Sequence, residues 1–166
     1  MKQIILLLAT TIYLLSCQNQ PAEKWETLEF ILGKRQLTIL NLGDSAHGHG
    51  DGRAWEATLS DTLGNIVGDA YGWTETIDIM DGDSANPKYI TERNALSILN
   101  FGDENEIVAQ GITSHHKGEQ RIKLGVSQVY PIIGGTGKYK GAEGEFTVTR
   151  QSDTTYVYLI NVKTEE

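Results

Sequence analysis

Along most of this chain apolar and polar residues alternate with a period of two. That spacing puts successive side chains on opposite faces of a strand. From Arg53 to Asp61, Trp55, Ala57 and Leu59 oppose Ala54, Glu56, Thr58 and Ser60. From Arg121 to Tyr130, Ile122, Leu124 and Val126 oppose Arg121, Lys123 and Gly125. The same rule predicts strands over Arg35–Leu42, Asn65–Asp78, Tyr89–Phe101, Glu106–Thr113, Glu143–Arg150 and Thr155–Val162. Turn-forming clusters separate these runs, among them Gly43–Gly52, Leu63-Gly64-Asn65, Gly102–Asn105 and Ser152–Thr154. Gly68 and Gly72, inside a predicted strand, mark bulges or sharp bends. No stretch of the mature chain has a convincing helical period. Short strands joined by hairpins predict an all-β fold. An eight-stranded antiparallel closed barrel, lipocalin-like in shape, leaves no free edge. Its interior holds packed side chains or one small ligand.

The N-terminal residues obey another grammar. Met1-Lys2-Gln3 supplies a positive start, and Ile4–Leu15 is uncharged and mainly apolar. A spanning helix needs about 20 residues, so this run matches the core of a signal peptide. It ends in Leu14-Leu15-Ser16-Cys17, which resembles the lipobox of bacterial lipoproteins, where cleavage precedes the cysteine and the cysteine is acylated. The organisation expected is a lipoprotein signal peptide over 1–16, a lipidated Cys17 with its tether over 17–33, and a barrel domain over 34–166. The address is the bacterial cell envelope, extracytoplasmic, with the lipid bilayer as partner through Cys17. A single cysteine excludes a disulfide within the chain.

Charge narrows the partners further. The 166 residues hold 14 Lys and Arg against 22 Asp and Glu, a formal net charge of −8. Loss of Lys2 with the signal peptide takes the mature chain one unit lower. Such a surface repels phosphate backbones, so no nucleic-acid partner is expected. Nor is there a polybasic patch to hold a membrane.

One segment is more specific. Ile132–Phe146, with Gly134, Gly135, Thr136, Gly137, Tyr139, Gly141 and Gly144, resembles the glycine-rich signature shared by allene oxide cyclases and dirigent proteins. Leu99–Asp103 followed by Ile107–Gly111 resembles that superfamily's hairpin, and Leu63–Val67 its Leu-Gly-acid-apolar segment. The resemblance implies an eight-stranded antiparallel barrel with a central cavity, with Tyr139 plugging one end. It is compatible with a homo-oligomer. The rival for this motif, a phosphate-binding loop, needs a Gly where Ile132 stands and a Ser or Thr where Tyr139 stands.

A shared barrel does not transfer a reaction. Allene oxide cyclases resemble this chain in fold but use a first-strand Glu, a buried Asn and a mid-barrel Cys. The run Leu37–Leu42 has no acid, and no cysteine follows Cys17. Where many dirigent proteins carry an acid and an Arg, Lys138 and Glu143 stand with charges reversed. The expectation is therefore a binding module for a small apolar or aromatic molecule, with no cofactor. Asp69, Tyr71 and Trp73 share parity and, if inward, make a polar-aromatic wall with Trp55; Asp44 and Glu56 join them at the barrel mouth. The alternative is an isomerase or cyclase using Asp69 or Glu56 as acid-base and Tyr71 as donor. A third reading is a structural or assembly lipoprotein with a filled barrel. His47, His49 and Asp51 could ligate a transition metal, but the intervening glycines favour a solvated loop, so no metal is expected. His115-His116 falls in a predicted turn and is expected to be exposed.

Overall fold

A computed structural model describes residues 24–42, 49–79, 90–116 and 121–164. Among them nine strands form one antiparallel sheet: β1 Lys24–Leu32, β2 Gln36–Leu40, β3 Gly52–Ser60, β4 Ile66–Ile79, β5 Ile90–Asn100, β6 Glu106–His116, β7 Ser127–Gly135, β8 Glu143–Arg150 and β9 Tyr156–Thr164. The order around the sheet is β1-β9-β8-β7-β6-β5-β4-β3-β2, and β1 also pairs with β3. That extra pairing closes the ring. β1 runs along β9 from Lys24 opposite Thr164 to Leu32 opposite Tyr156. Ile31 and Leu32 reach across to Ser60 and Leu59 of β3. After a bend over residues 33–35, β2 takes over the pairing with β3, from Gln36 opposite Glu56 to Leu40 opposite Gly52. Gly33 N donates to Thr58 O at 3.2 Å across the bend. β1 and β2 are thus one broken stave, and the result is the closed eight-stranded antiparallel barrel expected from the strand count.

Several strand boundaries differ from those predicted, and those of the first and seventh strands differ most. β1 occupies Lys24–Leu32, inside the stretch assigned to the tether, so the boundary placed at 33/34 falls on the bend within the first stave. Only Phe30 and Leu32 of β1 are buried, so its first half shows no alternation to read. The seventh strand starts at Ser127 rather than Arg121. The preceding residues fold as a turn, with Val126 N donating to Lys123 O at 3.1 Å and Gly125 N to Arg150 O at 2.8 Å. Ile122 alone tucks inward, whereas Leu124 and Val126 are exposed.

The two ends of the barrel are built differently. Where β3 meets β4, β5 meets β6 and β7 meets β8, the interior is filled. Leu32, Leu59, Leu99, Ile107, Phe146 and Ile160 are fully buried there. Phe30, Phe101 and Tyr139 form a ring chain with centroids 5.3 Å apart at each step. Tyr139 stands on a short 3₁₀ turn, Gly137–Tyr139, and is buried, as the plug reading expects. Gly137 makes the turn feasible, because its φ is +55° and a Cβ would lie 2.4 Å from Asn105 Oδ1. That same Oδ1 accepts from Lys138 N at 2.9 Å. The glycine-rich segment is therefore a corner docked on the β5–β6 hairpin.

Candidate functional site

Toward the other end the barrel is hollow. A cavity of about 220 Å³ is lined by the starts of β3, β5 and β9, the ends of β4, β6 and β8, and the bend between β1 and β2. Part of its wall is apolar or aromatic: Trp55, Ala95, Ile122, Tyr130, Val148 and Tyr156. Small residues on β4 leave the space. A Cβ on Gly72 would lie 2.8 Å from the Trp55 ring, so only glycine lets that indole lie flat on the inner wall.

Basic side chains, among them Arg35, Arg53, Arg93 and Arg121, share the lining with hydroxyl groups and with Leu37 and Ile39. Arg35 projects inward from the bend. Its guanidinium is 4.5 Å from the Trp55 ring centre and 4.0 Å from that of Tyr156, and Nη2 donates to Tyr158 Oη at 2.9 Å. Cation–π contacts of this kind contribute about 0.5–2 kcal/mol, more where water is excluded. Arg35 Nε is buried and has no hydrogen-bond partner among the described residues. Arg53 and Arg93, both buried, enter from β3 and β5. Burial pushes the Arg93 pKa down to about 10, the neighbouring Arg53 cation adds to this, and Asp51 opposes it; it remains a cation at neutral pH. Arg53 is lowered by burial, again against Asp51.

On β6 and β7 a hydrogen-bond chain fixes His115. Gln128 Nε2 donates to Ser114 O at 2.9 Å, which sets the amide orientation. Gln128 Oε1 then accepts from Tyr130 Oη at 2.7 Å and from Thr113 Oγ1. With its hydrogen used, Thr113 Oγ1 accepts from His115 Nε2 at 3.0 Å. Nδ1 of the neutral ring is left bare, buried and without a hydrogen-bond partner among the described residues. Burial first, then the Arg93 cation, depress the His115 pKa to about 4, with weaker lowering by Arg53 and Arg35. The Arg121 backbone, which would accept a proton arriving on the ring, pulls weakly the other way. His115 is thus a buried neutral imidazole, contrary to the exposed turn expected for it. Strand β6 runs three residues beyond its predicted end, and His115 shares the inward parity of Ile107, Ala109 and Thr113.

The predicted wall divides. Trp55 faces the cavity. Asp69, Tyr71 and Trp73 face outward, since Ala70, Gly72, Thr74 and Thr76 hold the inward positions of β4. Trp73 lies on the outside of β3, where a Cβ on Gly52 would meet its ring at 2.0 Å. Glu56, Asp69 and Tyr71 are brought together, but in an external hollow beside Gln36 and Asn100. Tyr71 Oη donates to Glu106 Oε1 at 2.9 Å, and burial with that carboxylate raises its pKa. None of these three can act on a molecule inside the barrel. Of the metal candidates, His47 lies outside the described residues, as do Asp44 and Cys17. His49 Nδ1 is 3.3 Å from Ile77 O, and Asp51 is buried, accepting from Leu42 N at 2.8 Å.

Sequence parity held a signal for the residues it missed. Counting back by twos from the fully buried Leu59 gives Trp55 and Arg53; from Leu99 it gives Ser97, Ala95 and Arg93; from Ile107 it gives Thr113 and His115.

The chain is a closed eight-stranded antiparallel β-barrel with one end packed by aromatic rings and a cavity toward the other. No family model matches the chain, and no curated protein does. Solved structures share its fold. A pyocyanin demethylase superposes with a TM-score of 0.65 at 20% identity, over 82% of this chain and 99% of that one. A pterocarpan synthase dirigent protein gives 0.63 at 16%, over 89% of each. A Diels-Alderase from Streptomyces koyangensis gives 0.63 at 14%, over 90% of this chain and 72% of that one.

Proposed function

We propose that this protein is a lipid-anchored envelope barrel that binds a small aromatic or apolar molecule in its cavity. The observation that carries the reading is the 220 Å³ space walled by Trp55, Tyr130 and Tyr156. A barrel serving only as structure would fill that end as it fills the other. Supporting the anchor is the charge, apolar run and Ser16-Cys17 junction at the N-terminus. Native mass spectrometry of protein purified from its own source tests the ligand reading. A small-molecule adduct that disappears on denaturation is expected. The bare chain mass throughout, with Trp55 emission unmoved by any aromatic titrant, refutes it. For the anchor, Cys17→Ser moves the protein to the soluble fraction; retention in washed membranes with the signal peptide removed refutes it.

A catalytic reading stands second. The fold neighbours include a Diels-Alderase and a pyocyanin demethylase, and His115 and Tyr130 both line the cavity, joined through Thr113 and Gln128 in one hydrogen-bond chain. If the cavity catalyses an isomerisation or cyclisation, the adduct recovered from the protein will contain product as well as substrate. A single unchanged species favours binding alone.

A further inference from the structure

The distribution of charge says what kind of small molecule fits. The chain has five arginines, and four of them, Arg35, Arg53, Arg93 and Arg121, line the cavity. Of its 22 acids, the lining includes Asp153 alone among the described residues, out at the rim. An acidic protein has gathered its guanidinium groups around one hollow. Immediately before β3, outside the lining itself, Asp51 is the acid acting on Arg53 and Arg93. Arg35 is held instead by two aromatic faces and a phenol oxygen, all uncharged. Among the described residues the guanidinium groups of Arg35, Arg53 and Arg93 thus converge on one hollow, and the space between them has room for an anion.

We propose that the cavity takes a flat aromatic ligand bearing one negative charge, a carboxylate or phenolate, with its ring against Trp55 and its anion among Arg35, Arg53 and Arg93. This rests on the reading that the barrel binds a small molecule in this cavity. Guanidinium forks match carboxylate geometry and bind it through short, charge-assisted hydrogen bonds. Arg35 Nη2 already donates to Tyr158 Oη, and its Nε has no hydrogen-bond partner among the described residues, so the guanidinium keeps donor capacity beside the cavity. Aromatic walls then select a ring over an aliphatic acid.

The test is a matched pair of probes, 2-naphthoate and the uncharged 2-naphthalenemethanol, titrated calorimetrically at pH 7. The chain carries Cys17→Ser so that no detergent is needed. Naphthoate is expected to bind about tenfold tighter or more, the equivalent of one charge-assisted hydrogen bond. Arg93→Gln removes most of that preference while Arg93→Lys keeps it; Arg53→Gln serves if Arg93→Gln does not fold. Equal or tighter binding of the alcohol overturns the anionic class and leaves the small-molecule reading standing. Binding of neither probe overturns both.

Discussion

His115 makes stability fall in mild acid, and by a calculable amount. Its pKa is depressed from 6.5 to about 4 in the folded protein. Between those values the unfolded chain binds the proton and the folded chain does not. As pH falls through 6.5 the unfolded state is therefore favoured, and the loss is complete only below about pH 4. From pH 7 to pH 5 it amounts to about 2 kcal/mol, a large share of the stability of a small domain. Replacing the ring by a group that does not titrate removes this component. His115→Gln keeps a hydrogen-bonding partner for Thr113, so the comparison isolates the proton. Urea unfolding at pH 7 and pH 5 gives the two slopes. The wild type is expected to lose about 2 kcal/mol more than His115→Gln over that interval, carboxylate effects being common to both. Parallel losses would mean that the imidazole titrates normally, and the buried position among Arg93, Arg53 and Arg35 would be wrong.

Further expectations follow from the same geometry. Tyr139→Ala removes the terminal ring of the plug and costs about 3–5 kcal/mol, seen as a lower urea midpoint; a loss under about 1 kcal/mol contradicts the plug. Gly72→Ala drives a Cβ toward the Trp55 ring and to 2.1 Å from Leu96 O. It should cost about 1–3 kcal/mol and shift tryptophan emission, whereas an unchanged spectrum and melting curve would place Trp55 elsewhere. Asp69→Asn alters the outer wall only, so naphthoate affinity stays at the wild-type value, and a clear drop would put that carboxylate back inside.

Closure and most strands were legible because most staves keep a period of two over much of their length, interrupted only locally by bulges. The first stave was only half legible. In Lys24–Leu32 the early positions are exposed on both faces, so a strand held by full backbone pairing to β9 looks like a linker. The site was harder for a different reason. Parity is normally read by assuming that bulky apolar residues point inward. On β4 that assumption reverses, with Tyr71 and Trp73 outside and Gly72, Thr74 and Thr76 inside, because a hollow needs small residues on its wall. On β3 and β5 the rule hides Arg53 and Arg93, which share a face with Leu59 and Leu99 yet look by type like surface residues. Composition fixes faces only where the interior is packed, and the cavity is the part that is not.

The route by which the chain enters the barrel has a consequence for orientation. Lys24 pairs with Thr164 at the end stoppered by Tyr139, and the arginine-lined cavity lies toward the far pole. Six residues separate Cys17 from Lys24, at most about 25 Å of extended chain. A barrel moored at Cys17 would therefore stand on its stopper with its arginine-lined end turned from the lipid.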